Sequence, residues 1–356
     1  MLARAAIPPT HLKNGRRAVP RSTTSRPRWL PVSAVLAAAA CWGAQGIGYA
    51  AILDRVPVDG LTVVTLRAVT AAVVVWGWLA LADPGALAVP RRDLALLAVL
   101  GLVSVAIFYP ALFFAYAWTG VAVATVLLYL SPAMVAIGAA VALRERLTRR
   151  KAVAVLGTLL GCALVVELDW QANLSGSASG IGIGVVAAAS YATYSILGKP
   201  LLARHRIATV LAWYLLFGAV FLLAAKMVVS PASWPAPGDA LAIGIYTGAL
   251  TTVVPVALYS YGLSRLPSSE ASILLTFEPV VAIALASALL GEALRLPQWL
   301  GVGAVLAGVV LMARPIRIRS NAGRSQSSSA SLATPIDDGE LSPLEPDLLP
   351  SRAVSR

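Results

Sequence analysis

Apolar runs long enough to cross a bilayer recur from residue 30 to residue 313, separated by short polar or charged stretches. Between Leu94 and Leu143 no charged side chain occurs at all. At about 20 residues per crossing this stretch holds two helices, with Thr119 and Gly120 as the break between them. A chain inside hydrocarbon must satisfy its own backbone groups, and these Ala, Val and Leu runs lack the alternation of a barrel strand, so the spans are helices. The pattern predicts ten, over residues 30–53, 61–81, 94–118, 121–143, 152–166, 180–202, 207–229, 241–263, 271–290 and 299–313. The flanks lack the apolar content to build a core and are expected to be disordered. One is a basic arm over residues 1–29; the other is a tail over residues 314–356 with a serine-rich stretch at 325–331 followed by Asp337, Asp338 and Glu340. The arm resembles the start of a signal peptide, but the apolar run behind it is too long for one, so the first helix is read as uncleaved.

Composition agrees with this pattern, and charge orients it. Of the 356 residues 58% are hydrophobic and 12% charged, with a mean hydropathy of +0.80, more apolar than a soluble domain requires. Cytoplasmic loops carry the positive excess. If the N-terminus is cytoplasmic, the outer loops hold only Arg55, Lys226 and Arg295, and Arg67 lies inside the second span; all the rest of the 28 Lys and Arg fall on the inner side. Both termini are therefore expected in the cytoplasm, with the protein in the cell (inner or plasma) membrane. The net charge of +12 is then mainly a topology signal, with weak attraction to anionic headgroups as a consequence. No basic face exists outside loops and tails, so nucleic acid is not an expected partner.

An internal repeat carries most information. Pro110 to Tyr116 reads PALFFAY, and Pro255 to Tyr261 reads PVALYSY. Residues 124–147 align without a gap to residues 271–294, pairing Pro132 with Pro279, Glu145 with Glu292 and Leu147 with Leu294, and the register continues to Gly161 and Gly308. Each half has five spans, an odd number, so the second half enters the membrane from the opposite side. The predicted fold is an all-α membrane protein with ten transmembrane helices in two inverted five-helix repeats, over residues 30–168 and 180–313. Halves related by an axis in the membrane plane can exchange conformations, so that one midplane site faces each side in turn.

These residues resemble the EamA-type members of the drug/metabolite transporter superfamily over residues 30–313. The likeness rests on Trp42 and Gly43, Arg67, the Ser131-Pro132 and Glu278-Pro279 pairs, and Glu145 and Glu292 just beyond the fourth and ninth spans. It implies ten helices, two EamA repeats and movement of small metabolites, often amino acids or amphipathic compounds, commonly driven by an ion gradient; export is the expected direction. One departure is that Tyr191-Ala192 stands in the sixth span where the first has Trp42-Gly43, so roles are not copied between halves.

Two charges lie well inside the spans, Glu278 and Arg67. An ionised side chain at a helix centre costs about 2.5–3.5 kcal/mol on insertion scales and is usually kept for a reason. For Glu278 that reason is substrate or proton binding, or pairing with Arg67 or with backbone freed by Pro279. Arg67 either holds an anionic group of the substrate or braces the bundle. Lys199, Lys226 and Glu270 lie close to span ends and are expected to reach for the interface. Polar and aromatic tips on an apolar wall suit a small-molecule site. The candidates are Trp42, Gln45, Tyr109, Tyr116, Tyr191, Tyr194, Trp213, Tyr246 and Tyr259, each also open to an interfacial or packing role. Trp42 and Tyr191 stand out because they occupy matching places in the two halves.

Gly157 and Gly161, and Ala304 with Gly308, form small-residue stripes for close helix packing, against a neighbouring helix or a second copy in a homodimer. Cys41 and Cys162 read as packing residues. The alternative function is a membrane-embedded enzyme acting on a lipid or polyprenyl substrate. Its equipment is not visible: His11 and His205 lie in the arm and a loop, no metal-binding pair occurs, and no Asp lies within a span. No cofactor or metal is expected, and no nucleotide motif supports ATP-driven transport.

Overall fold

The computed structural model describes residues 28–53, 55–166, 178–231, 234–290 and 294–314. The arm to residue 27, the tail from residue 315 and Glu292 lie outside the described residues. Among those described, all regular structure is helical. The first half runs α1 (Trp29–Leu53), α2 (Gly60–Ala82), α3 (Arg91–Gly101), α4 (Phe108–Leu128), α5 (Ser131–Ala142) and α6 (Arg149–Val165). The second runs α7 (Ala178–Arg204), α8 (Ile207–Val229), α9 (Pro237–Gly244), α10 (Val254–Leu263), α11 (Ser268–Leu275), α12 (Glu278–Leu290) and α13 (Leu296–Ala313). Among the described residues, eight helical segments are long and apolar enough to cross a membrane, with Trp29–Gln45 as a shorter apolar helix. This is a multi-pass membrane protein. Helix α6 is shorter, at 17 residues, and opens on Arg149, Arg150 and Lys151.

Interruptions in the helices recur at matching points of the two halves. A π-helical stretch, Leu102–Ile107, joins α3 to α4, and another, Ile245–Val253, joins α9 to α10. Each precedes a proline, Pro110 or Pro255, whose ring nitrogen cannot donate to the carbonyl one turn back. A second pair of breaks also corresponds: the chain turns out of helix at Tyr129 and Leu130 before Ser131-Pro132, and at Thr276 and Phe277 before Glu278-Pro279. Gly120 breaks the run between the third and fourth predicted spans with φ 77°, a backbone conformation that a side chain would strain.

The halves interlock. Helix α6 packs on α13, α4 on α7, α2 on α8 and α1 on α10, each a first-half helix on a second-half helix. The small-residue stripes find their partners within the chain. A Cβ on Gly161 would stand 2.9 Å from the Gly301 carbonyl and 3.1 Å from the Ala304 Cβ, and one on Gly308 would overlap the Thr158 methyl. Gly157, the other half of the predicted pair, points into open space, so the homodimer reading draws no support from Gly161, Ala304 or Gly308.

Polar groups gather at the helix ends, and here one expectation is corrected. Lys199, Lys226 and Glu270 do not reach outward; each turns into protein. Lys226 is fully buried, donates to the Ser230 carbonyl, and stands 3.6 Å from Asp59, whose carboxylate also caps α2. Glu270 pairs with Arg28. Lys199 donates to the Leu266 carbonyl and lies 3.6 Å from Glu145. Protein partners at the helix ends replace water for each of these charges. Glu145 itself, beyond α5, caps α11 across the two halves. It accepts from the Ser268 N–H at 2.6 Å and from the Ser269 hydroxyl at 2.8 Å, with Lys151 at 3.7 Å.

Candidate substrate site

Most of the sequence candidates meet in one aromatic cluster contributed by both halves. Trp42 of α1 stands edge-on to Tyr191 of α7, with ring centroids 6.4 Å apart, and is 6.3 Å from Tyr259 of α10. Tyr191 also packs on Phe108 at 5.3 Å, and Phe108 on Tyr109 at 5.5 Å. Tyr194 and Tyr259 exchange hydroxyl contacts with the facing helix: Tyr194 with Ser260 and Tyr259 with Ser195, both at 2.6 Å. These two bonds satisfy both buried phenols, so Tyr194 and Tyr259 act as floor and support of the cluster.

Arg67 enters from α2 and is fixed by backbone freed in the second half. Its Nε donates to the Thr252 hydroxyl at 2.6 Å, a terminal nitrogen reaches the Thr251 carbonyl at 3.4 Å, and the guanidinium lies 4.6 Å above the Tyr109 ring. Pro255 removes the usual α-helical donor to the Thr251 carbonyl, and that carbonyl also accepts from the Trp42 indole at 3.1 Å. One proline thus anchors an aromatic and a cation at the same point. Tyr246 donates to the Gln45 carbonyl at 2.8 Å, while the Gln45 side-chain oxygen is buried with no hydrogen-bond partner among the described residues.

Glu278 opens α12 at the mid-span break, half-buried. Arg67 and Tyr191 lie within its electrostatic range. The direct Arg67 pair weighed from sequence does not form: among the described residues the Glu278 carboxylate makes no ion pair and accepts no hydrogen bond. The turn preceding it is closed instead by backbone bonds, Thr276 N–H to Ile273 and Phe277 N–H to Leu274. Glu278 comes this near to α1 because of Gly43. A Cβ there would stand 2.5 Å from the Glu278 carbonyl oxygen and 3.1 Å from the Ala282 nitrogen, backbone atoms with little room to yield. Gly43→Ala is therefore expected to lower thermal stability by about 1–3 kcal/mol and to reduce transport further than that loss explains. Melting of the purified protein beside flux at matched expression measures both.

Two candidates sit elsewhere or on the margin. Trp213 packs on Trp76 and Phe217 and donates to the Leu87 carbonyl at 3.0 Å, touching none of the cluster rings. Tyr116 is half-buried and lies within electrostatic range of Tyr129, which is also within range of Tyr191 and Glu278. The residue next to Trp213 takes its expected place: Tyr214 stacks 5.2 Å from Tyr194. The sequence pattern does not single out Tyr214, Tyr129, Phe108, Thr251 or Thr252. The repeat holds a signal for one of them, because α2 and α8 are both 23 residues long and Tyr214 stands in α8 where Arg67 stands in α2.

Comparison with known proteins fits this architecture. The EamA-like transporter family model matches residues 29–167 and again residues 178–314. The "Uncharacterized inner membrane transporter YicL" of Salmonella typhimurium is 27% identical over 290 residues, 81% of this chain and 96% of the relative. The "Probable terminal-alkyne amino-acid exporter" of Streptantibioticus cattleyicolor is 27% identical over 291 residues, 82% of this chain and 94% of the relative. The "Threonine/homoserine exporter RhtA" of Escherichia coli K12 is 30% identical over 135 residues, 38% of this chain and 44% of the relative. A solved structure titled "Crystal structure of protein" shares the fold, with a TM-score of 0.65 at 17% identity over 79% of this chain and 96% of that one.

Proposed function

We propose a function from one premise: the chain belongs to the EamA-like transporter family. It is a secondary active exporter of a small metabolite, an amino acid or similar amphipathic compound, working by alternating access between two inverted five-helix repeats. The observation that carries this reading is the meeting, between helices of both halves, of an aromatic wall, a fixed guanidinium and a carboxylate with no partner of its own among the described residues. Arg67 presents a planar donor fork suited to a carboxylate. The Gln45 side-chain oxygen, without a hydrogen-bond partner among the described residues, offers an acceptor for an ammonium group, and Trp42, Tyr191 and Phe108 provide an apolar wall for the remainder. Two relatives carry names of amino-acid exporters, in keeping with a zwitterionic cargo.

Glu278 takes up a coupling proton on one side and releases it on the other. Burial and the field of Arg67 act in opposite senses on its charge, and their balance changes as the halves move. Ser131 occupies the matching position in the first half and cannot titrate, so coupling is asymmetric. The repeats span residues 30–168 and 180–313, and both termini face the cytoplasm of the cell membrane. At the end of the bundle assigned to the cytoplasm, Glu145 caps α11 and Arg28 pairs with Glu270.

The site is tested by uptake and efflux of labelled amino acids in vesicles with Arg67→Lys and Arg67→Ala. Arg67→Lys keeps the charge but loses the fork, and a fall in flux of at least about tenfold is expected for both. Full transport by both variants at normal protein levels would remove Arg67 from the site. Topology has its own check. A cysteine at Ser325 should be labelled only from the cytoplasm, and one at Ser177 from outside; labelling of Ser177 only after permeabilisation would overturn both the orientation and the division into five and five.

A further inference from the structure

Away from the aromatic cluster, a groove of about 440 Å³ opens on the flank of the bundle. Its walls include Val74 and Trp78 of α2, Ile207 and Ala208 of α8, and Ala257 and Tyr261 of α10. Nearly all of the lining is apolar, and Val74 and Trp78 are exposed at its rim. The lining also turns charged at its edge. Arg206 immediately precedes Ile207 and its side chain is 71% exposed, although Asp83 accepts from it. The Arg265 guanidinium lies 3.8 Å above the ring of Tyr261, itself part of the wall. Arg265 is exposed and, among the described residues, its side chain bonds within its own segment, at the Tyr261 carbonyl and the Ser264 hydroxyl.

We infer that this groove is a binding site for an anionic phospholipid, one acyl chain lying between α2, α8 and α10 and the phosphate resting on Arg265 with help from Arg206. Shape and charge support it independently. A concave apolar notch between membrane helices cannot be left to water, because nothing in it can hydrogen-bond, and a flexible hydrocarbon tail fills it by van der Waals packing against the three helices. Basic side chains beside an inter-helix groove select headgroups with negative charge. Arg265 is well placed to do so, being held flat on Tyr261 with donors free of any acidic partner among the described residues. Because α2 belongs to the first half and α8 and α10 to the second, a bound tail touches both halves at once.

Native mass spectrometry of the detergent-purified full chain, titrated with phosphatidylglycerol or phosphatidylcholine of the same acyl composition, tests the site. The wild type should retain phosphatidylglycerol at least about fivefold better than phosphatidylcholine. Arg265→Gln should abolish that preference, and Ala257→Trp, which fills the groove, should reduce retention of both lipids. Should Ala257→Trp not fold, Ala208→Phe obstructs the same groove from α8. Equal retention of the two lipids by the wild type would overturn the proposal. So would loss of the preference in Arg265→Gln together with unchanged retention in both groove-filling variants, since that pattern marks a surface charge effect. Displacement of bound lipid by a transported amino acid would instead make the groove a route for cargo, and would overturn it as well.

Discussion

Purified, reconstituted Glu278→Gln is expected to fold and bind cargo as the wild type does, yet fail to accumulate it against a gradient, leaving only exchange or downhill flow. The local structure explains why folding survives. Among the described residues no donor bonds the Glu278 carboxylate, so its neutral isostere leaves no partner stranded, and Arg67 stays anchored on Thr252 and Thr251. Removing a mid-membrane charge even relieves an insertion cost of about 2.5–3.5 kcal/mol. What disappears is a group able to change charge between the two facing states. Glu278→Asp keeps the titratable group one methylene further back and should retain part of the gradient-driven activity. Accumulation by Glu278→Gln at the wild-type rate and extent would return Glu278 to a structural role. A fall in cargo binding equal to the fall in transport would assign it to the cargo alone.

The second large effect concerns Glu145. Its carboxylate takes the Ser268 and Ser269 N–H groups at the start of α11 and neutralises a site shared by Lys151 and Lys199. Glu145→Ala leaves these donors unsatisfied and takes the carboxylate away from Lys151 and Lys199, which still donate to the Ser269 hydroxyl and the Leu266 carbonyl, and is expected to cost about 3 kcal/mol, read as earlier thermal loss of the monodisperse protein. If the same contact holds the cytoplasmic end shut, a cysteine placed at Ser268 should react faster with a membrane-impermeant thiol reagent in inside-out vesicles of the Glu145→Gln variant than in the parent. An unchanged labelling rate would leave Glu145 a stability element only.

The pH dependence follows from the same group. Burial raises the Glu145 pKa, but bonds from Ser268 and Ser269 and the charge of Lys199 outweigh it and hold the value below the ordinary carboxylate range. The folded value lies below the unfolded one, so the stabilisation is full above the ordinary carboxylate range and is lost as pH falls from that range through the lower folded value. Glu145→Gln should therefore flatten the acid limb of a melting-temperature profile.

Much of this was legible along the chain. Hydropathy marked the apolar helical segments, eight of which are long enough to cross a membrane among the described residues, and the seventh predicted span coincides with Ile207–Val229 to the residue, because a run that must bury its backbone in lipid has few ways to begin or end. Repeat register paired Trp42 with Tyr191, which then proved to be ring neighbours. Freed backbone beside Pro279 was readable from the sequence, since proline acts on the helix from within the chain itself; the breaks before Pro132 and Pro279, inside spans read as continuous, came from the structure.

Only the tertiary structure decided which polar groups meet. Trp213 and Tyr214 are adjacent, yet only Tyr214 joins the cluster, because side chains of successive helical residues point to different faces and hydropathy does not say which face is inward when lipid and protein core are equally apolar. Lys226 reads as an interfacial cation, but Asp59 and the Ser230 carbonyl receive it inside the fold. The anchoring of Arg67 on Thr252, and the absence of a direct bond to Glu278, likewise depend on how α2 meets the π-helical stretch of the other half. Sequence sets which residues can carry charge or close packing in a membrane; the distances between helices settle whether those residues have partners, and that Glu278 makes no ion pair among the described residues is visible only once they do.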